Sequence, residues 1–121
     1  MSTLNVSNIT DGTDTVETGY VLNGSAKVWV NFNGSGTIAT RESLNVSSLT
    51  DNATGEYFTN FTNAMSSADY GGSASGRTNG DIGFNSDGNN TASLLSTNSY
   101  NSSGSHVDAS TVVGLTLGDL A

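Results

Sequence analysis

Residues 26–33 read Ala26-Lys27-Val28-Trp29-Val30-Asn31-Phe32-Asn33, and this octet decides the fold class. Ala26, Val28, Val30 and Phe32 alternate with Lys27, Trp29 and Asn31, the period of a β-strand with one buried face. Trp29 falls on the opposite face from the valines, where a large ring wants a second layer or a neighbouring chain. Asn33-Gly34-Ser35-Gly36 follows as a turn, because Gly34 and Gly36 accept positive φ, and TIATRESLNVSSL resumes the alternation as the second arm of a hairpin. After Asp51-Asn52-Ala53-Thr54-Gly55 comes EYFTNFT, with Tyr57 and Phe61 on one face and Phe58 on the other.

Working outward, the chain gives three or four antiparallel strands in succession over residues 20–62. Residues 71–106 are mostly Gly, Ser, Asn, Asp and Thr, with Ile82, Phe84, Leu94, Leu95 and Tyr100 spaced along them, and read as long polar loops held by a few anchors. DASTVVGLTLGD puts Val113, Leu115 and Leu117 on one face of a closing strand that has to pair back with the earlier meander. No helical segment is convincing; NAMSSADY around Met65 has one turn's worth of helix formers between Ser residues. The expectation is an all-β domain: a small antiparallel β-sandwich or β-knob with long polar loops, in trimeric assembly. Residues 1–19, with Leu4, Val6 and Ile9 ahead of a polar Gly-containing stretch, read as an amino-terminal arm ending in a flexible link, and residues 20–121 as the β-rich knob.

Composition supports assembly. Asn, Ser, Thr and Gly fill 65 of 121 positions, whereas Leu, Ile, Val and Phe fill 25, a thin supply for a lone core. A homotrimer remedies this by burying surface between copies. The formal charge is −8, with Lys27, Arg41 and Arg77 as the only cationic side chains. Three scattered cations cannot neutralise a row of phosphates or an anionic bilayer, so nucleic-acid and membrane-surface binding are not expected. There is no cysteine for a disulfide, a thiolate nucleophile or a cysteine-ligated metal, and no secretory signal or membrane span is legible.

Several motifs are discounted. Nine Asn-x-Ser/Thr triplets follow from the abundance of those residues. Gly71-Gly72 and Gly34-x-Gly36 precede no helix that could hold a phosphate. Asp81 to Asn89 supplies oxygen atoms without the alternate spacing or terminal Glu of a calcium loop. His106, the only histidine, reads as an ordinary loop or strand-edge residue, although three symmetry copies near an axis could share an ion. Glu42 with Glu56, or Asp81 with Asp87, could be nominated as a hydrolytic pair, but no local context separates them from surface charge. No cofactor, metal or catalytic residue is expected.

The stretch from Gly24 to Tyr70 resembles a module of tail-fibre and other appendage proteins of marine bacteriophages. The shared pattern is Ala-x-x-Trp-Val-x-Phe-x-Gly-x-Gly-Thr at Ala26 to Thr37, Asn-Val-Ser-Ser-x-Thr-Asp-Asn-x-Thr-Gly at Asn45 to Gly55, and Tyr-x-x-x-Phe at Tyr57 to Phe61. Ala-x-Tyr at Ala68 to Tyr70 and Val-x-x-Leu-x-Leu-Gly-Asp at Val112 to Asp119 look like its ends. The resemblance implies a β-rich domain at the distal end of a trimeric fibre. It differs here in its short leading segment and in Ser66 where such modules carry proline.

The function expected is a non-enzymatic structural component of a tailed-phage virion, a short fibre or knob contacting the host cell surface. The alternatives are a capsid-decorating or neck-attached fibre, or a glycan-degrading tail enzyme. Polar loops on a rigid β scaffold suit host-surface glycan, and Tyr70, Arg77 and Tyr100 are the candidate receptor-binding residues, by ring stacking and charge-assisted hydrogen bonds. Leu4, Val6 and Ile9 are the candidate contacts to other virion proteins.

Overall fold

The computed structural model describes residues 1–77, 88–121 and the backbone of 84–85. The elements in chain order are β1 (Asn8–Thr10), β2 (Thr15–Glu17), α1 (Thr18–Gly24), β3 (Ala26–Asn33), β4 (Ala39–Leu44), β5 (Val46–Ala53), β6 (Glu56–Phe61), β7 (Gly71–Arg77), β8 (Phe84–Asn85), β9 (Leu94–Ser99) and β10 (Thr111–Leu117). Among the described residues the structure is mostly β, with one short helix. Two four-stranded sheets, each antiparallel throughout, hold eight of the strands: β4-β3-β10-β7 in the first and β5-β6-β9-β8 in the second. β1 and β2 form a separate hairpin.

The alternation read in residues 26–33 is realised from Val28 onward, while Ala26, at the start of β3, is exposed. Val28, Val30 and Phe32 are buried, as are Tyr57 and Phe61 of β6. Val30, Phe32, Tyr57, Ala109 and Val112 form one core cluster, and Val28, Phe61, Met65 and Leu95 another, so each cluster joins residues of both sheets. Phe32 meets Tyr57 edge to face at 5.4 Å between ring centroids, the favoured arrangement of two ring quadrupoles. The Tyr57 hydroxyl donates to the Gly34 carbonyl at 2.9 Å and accepts from the Ala109 amide at 2.9 Å. Gly34 is obligatory in this position, because a Cβ there would stand 2.6–2.8 Å from the Tyr57 ring.

Four expectations are corrected. The run 37–49 is not one strand: the chain leaves the first sheet after Leu44 and enters the second at Val46, turning at Asn45, whose φ is 59°. Asparagine tolerates this left-handed conformation, and its side chain stabilises the corner by accepting from the Asn63 amide at 2.7 Å and donating to the Asn63 carbonyl at 3.0 Å. The polar stretch 71–106 contains strands β7 and β9 in place of long loops. Their small residues are needed where the sheets approach each other, since a Cβ on Gly72 or Gly114 would come within 3.3 or 3.0 Å of the Leu95 methyls. The third correction is α1, a helix where none was expected; it runs through Ser25 alone into β3, and the boundary drawn after residue 19 lies inside it. Finally, Val113, Leu115 and Leu117 share a face as expected, but the buried face of β10 is Val112, Gly114 and Thr116. No helix among the described residues is long and apolar enough to cross a membrane.

Candidate functional site

Two surfaces concentrate chemistry. The first lies where β9 ends. Asn101 starts a tight turn by accepting from the amides of Ser103 and Ser105, both at 3.0 Å, and Gly104 supplies a φ of 78°. This returns the chain so that Tyr100 and His106 pair across the turn, with ring centroids 4.5 Å apart. His106 Nδ1 is 3.0 Å from Glu56 Oε1, and Asn52 donates to the other Glu56 oxygen at 3.1 Å. Asn98 Nδ2 donates to the Tyr100 hydroxyl at 3.0 Å, while the buried Asn98 Oδ1 has no hydrogen-bond partner. A half-exposed aromatic pair beside a carboxylate and amides has the parts to contact the apolar face of a ring and the hydroxyls at its rim.

The expected trio is not brought together. Tyr100 belongs to this cluster. Tyr70 packs against Phe61 at 5.8 Å and donates its hydroxyl to the Leu94 carbonyl, and burial pushes its phenol up to about 12. Its ring and its hydroxyl both serve the fold. Arg77 ends β7 on the other sheet, exposed. His106 and Glu56, read from sequence as unremarkable, are partners here; the signal that could have found them is the Asn101-to-Gly104 turn, which sets 100 and 106 opposite each other. Glu42 and Glu56, once nominated together, lie on different sheets. Asp81, Asp87 and most of the segment from Asp81 to Asn89 lie outside the described residues. No group of three or more metal-ligating side chains occurs among those described.

The second surface is the outer face of the first sheet. Trp29 pairs with Leu44 on one side and with Leu115 on the other, and Leu115 pairs with Ser73, so one cross-strand row runs Leu44, Trp29, Leu115, Ser73. The neighbouring row is Glu42, Asn31, Val113, Ser75. Trp29 is half-buried and Leu44 is 49% exposed. All three cations of the chain sit on strands of this sheet, with Glu42 as the one carboxylate. Lys27 shares the outward register of Trp29, and Arg77 that of Ser73 and Ser75. The Arg41 guanidinium donates to Asn31 Oδ1 at 3.2 Å and to Thr111 Oγ1 at 3.4 Å, both outward-facing groups, and also to the Phe32 and Ser110 carbonyls. An apolar centre is thus bordered by Lys27 at one end and by the two arginines, either side of Thr111, at the other.

The arm is the reverse in charge. Leu4, Val6 and Ile9 line an open groove of about 440 Å³ with Val21 and Leu22 of α1. No side chain of residues 1–26 is buried, and Asp11, Asp14 and Glu17 are its only charged side chains. The Asp11 carboxylate accepts from the Thr13 and Asp14 amides, which hold its pKa below the usual carboxylate value.

No family model, curated protein or solved structure matches this chain.

Proposed function

We propose that the chain is a non-enzymatic structural component of a tailed-phage virion, a short trimeric fibre or knob that contacts the host cell surface. The observation that carries this reading is the uncovered outer face around Trp29. An indole, three leucines and a valine on one side of a sheet lack the covering layer that stable β-domains give such residues, and further copies supply it. In the assembled form the two sheets are the layers of a sandwich, and the arm, with Leu4, Val6 and Ile9, is the attachment segment. The resemblance of Ala26 to Thr37 and Asn45 to Gly55 to phage appendage modules supports the same placement.

Host contact is assigned to the turn bearing Tyr100 and His106. A glycan ring stacking on Tyr100, with its hydroxyls on the Glu56 carboxylate and the Asn52 amide beside it, gains on the order of 1–3 kcal/mol per contact, and many copies per particle raise avidity without new contacts. Tyr70, whose half-buried ring packs against Phe61, and Arg77, on the face that further copies cover, are left out of this reading.

The experiment is adsorption of particles carrying Tyr100→Ala. Reduced adsorption with unchanged particle yield is the expected result. Equal adsorption refers the protein to a stabilising role as a capsid-decorating or neck-attached fibre. Release of reducing sugar ends from host envelope by the purified chain refers it to a glycan-degrading tail enzyme. Absence of the chain from purified particles refutes the proposal.

A further inference from the structure

The outer face of the first sheet and the arm are complementary in both charge and apolarity. That face holds three cations and one carboxylate, which leaves the other ten carboxylates of the chain elsewhere. Copies of a chain with a formal charge of −8 repel one another over most of their surface. The arm, which has Asp11, Asp14 and Glu17 and no Lys or Arg, presents an apolar groove, with Glu17 next in the chain to its lining residue Thr18. The sheet presents an apolar ridge, Trp29 and Leu115, with a cationic border.

We propose that the arm of one copy docks on the outer face of the first sheet of the next, with Trp29 and Leu115 entering the groove lined by Leu4, Val6, Ile9, Val21 and Leu22. This rests on the reading of the chain as a self-assembling subunit and names the first surface that receives the arm. Two alternatives within the same chain are disfavoured by charge. Arm against arm gathers only carboxylates, and face against face brings Lys27, Arg41 and Arg77 towards their own copies. The arm is not folded down on its own sheet: none of its side chains is buried, and Ser25 alone joins α1 to β3. An arm-to-face contact is head to tail, so repetition closes it into a ring when the rotation between copies is a whole fraction of a turn, and a trimer is the smallest such ring beyond a pair.

The test uses the purified full chain. Trp29 is the only tryptophan, so its fluorescence reports its own burial, alongside mass from light scattering over a concentration series. The face is reversed by Lys27→Glu with Arg77→Glu, and the arm by Asp14→Lys with Glu17→Lys; Arg41 and Asp11 are left intact because their side chains hold local structure. Association of the natural chain is expected to shift Trp29 emission to the blue. Either reversal alone is expected to raise the concentration of half-association by about tenfold or more, and both together in one chain to restore it to within about threefold. Far-UV circular dichroism checks folding, and Arg77→Glu alone replaces the double face variant if that variant loses its β signal.

A combined variant that associates no better than the single reversals overturns the proposal and points to face-to-face packing. A natural chain that stays monomeric overturns it in favour of a different, acidic partner on the face. Both outcomes are read in solution without particles, so they leave incorporation and adsorption to be decided on their own.

Discussion

Replacing Tyr57 by Phe removes one oxygen from the centre of the domain and leaves the ring in place. That hydroxyl joins the turn after β3 to the segment leading into β10, through the Gly34 carbonyl and the Ala109 amide, both at 2.9 Å. Tyr57 and Ala109 are fully buried, so neither group regains a water when the hydroxyl is lost. An unsatisfied buried donor or acceptor costs about 1–3 kcal/mol, and two together, with some relaxation, give an expected loss of about 2–4 kcal/mol. For a domain of this size that lowers the melting temperature by roughly 10 °C. Urea unfolding followed by far-UV circular dichroism, below the association range, measures it: the midpoint falls and the slope is unchanged, because the surface exposed on unfolding is the same. A loss under about 0.5 kcal/mol refutes the reasoning, since the turn and the β10 entry would then be held without this hydroxyl.

Arg41→Ala should cost about 1–2 kcal/mol despite the exposure of Arg41, because its fork donates to the Phe32 and Ser110 carbonyls at 2.9 and 2.7 Å; Arg41→Lys, with no fork, should recover less than half, by the same denaturation measurement. Alkaline pH should unfold the domain. Burial favours the neutral phenol of Tyr70, raised to about 12, and raises Tyr57 as well, whereas the unfolded phenols titrate near 10. The stability they contribute is therefore complete below pH 10 and lost as pH rises towards 12, on the order of 2 kcal/mol for Tyr70. Absorbance of tyrosinate at alkaline pH should show Tyr57 and Tyr70 ionising together with loss of β signal.

The strands whose inner faces carry large side chains were legible in the sequence: Val28, Val30 and Phe32 in β3, and Tyr57 and Phe61 in β6, each show the two-residue period. β7 was not, because Gly-Gly-Ser-Ala-Ser-Gly-Arg has no such period; the side it turns towards Leu95 of the facing sheet is small, with Gly72 beneath the Leu95 methyl. The corner at Asn45 left no mark beyond one asparagine in an alternating run. The helix α1 was hidden by its residues, since Gly19 and Val21 are weak helix formers. In the candidate sites, Lys27 and Trp29 share a face by local spacing alone. Arg41 joins them through the β3–β4 hairpin, but Arg77 does so only because β10 inserts between β3 and β7, a long-range pairing that local pattern does not encode. The meeting of Glu56 with His106 likewise depends on β6 lying beside β9.

A subunit whose exposed apolar face is completed by its own copies must associate in solution. The mass of the purified full chain, by light scattering coupled to size exclusion, decides whether it does. Three chains of 12.3 kDa give about 37 kDa, and a species of that mass, dissociating on dilution with a red shift of Trp29 emission, is the predicted result. A folded monomer of 12.3 kDa at every concentration, with Trp29 emission unchanged throughout, would contradict it.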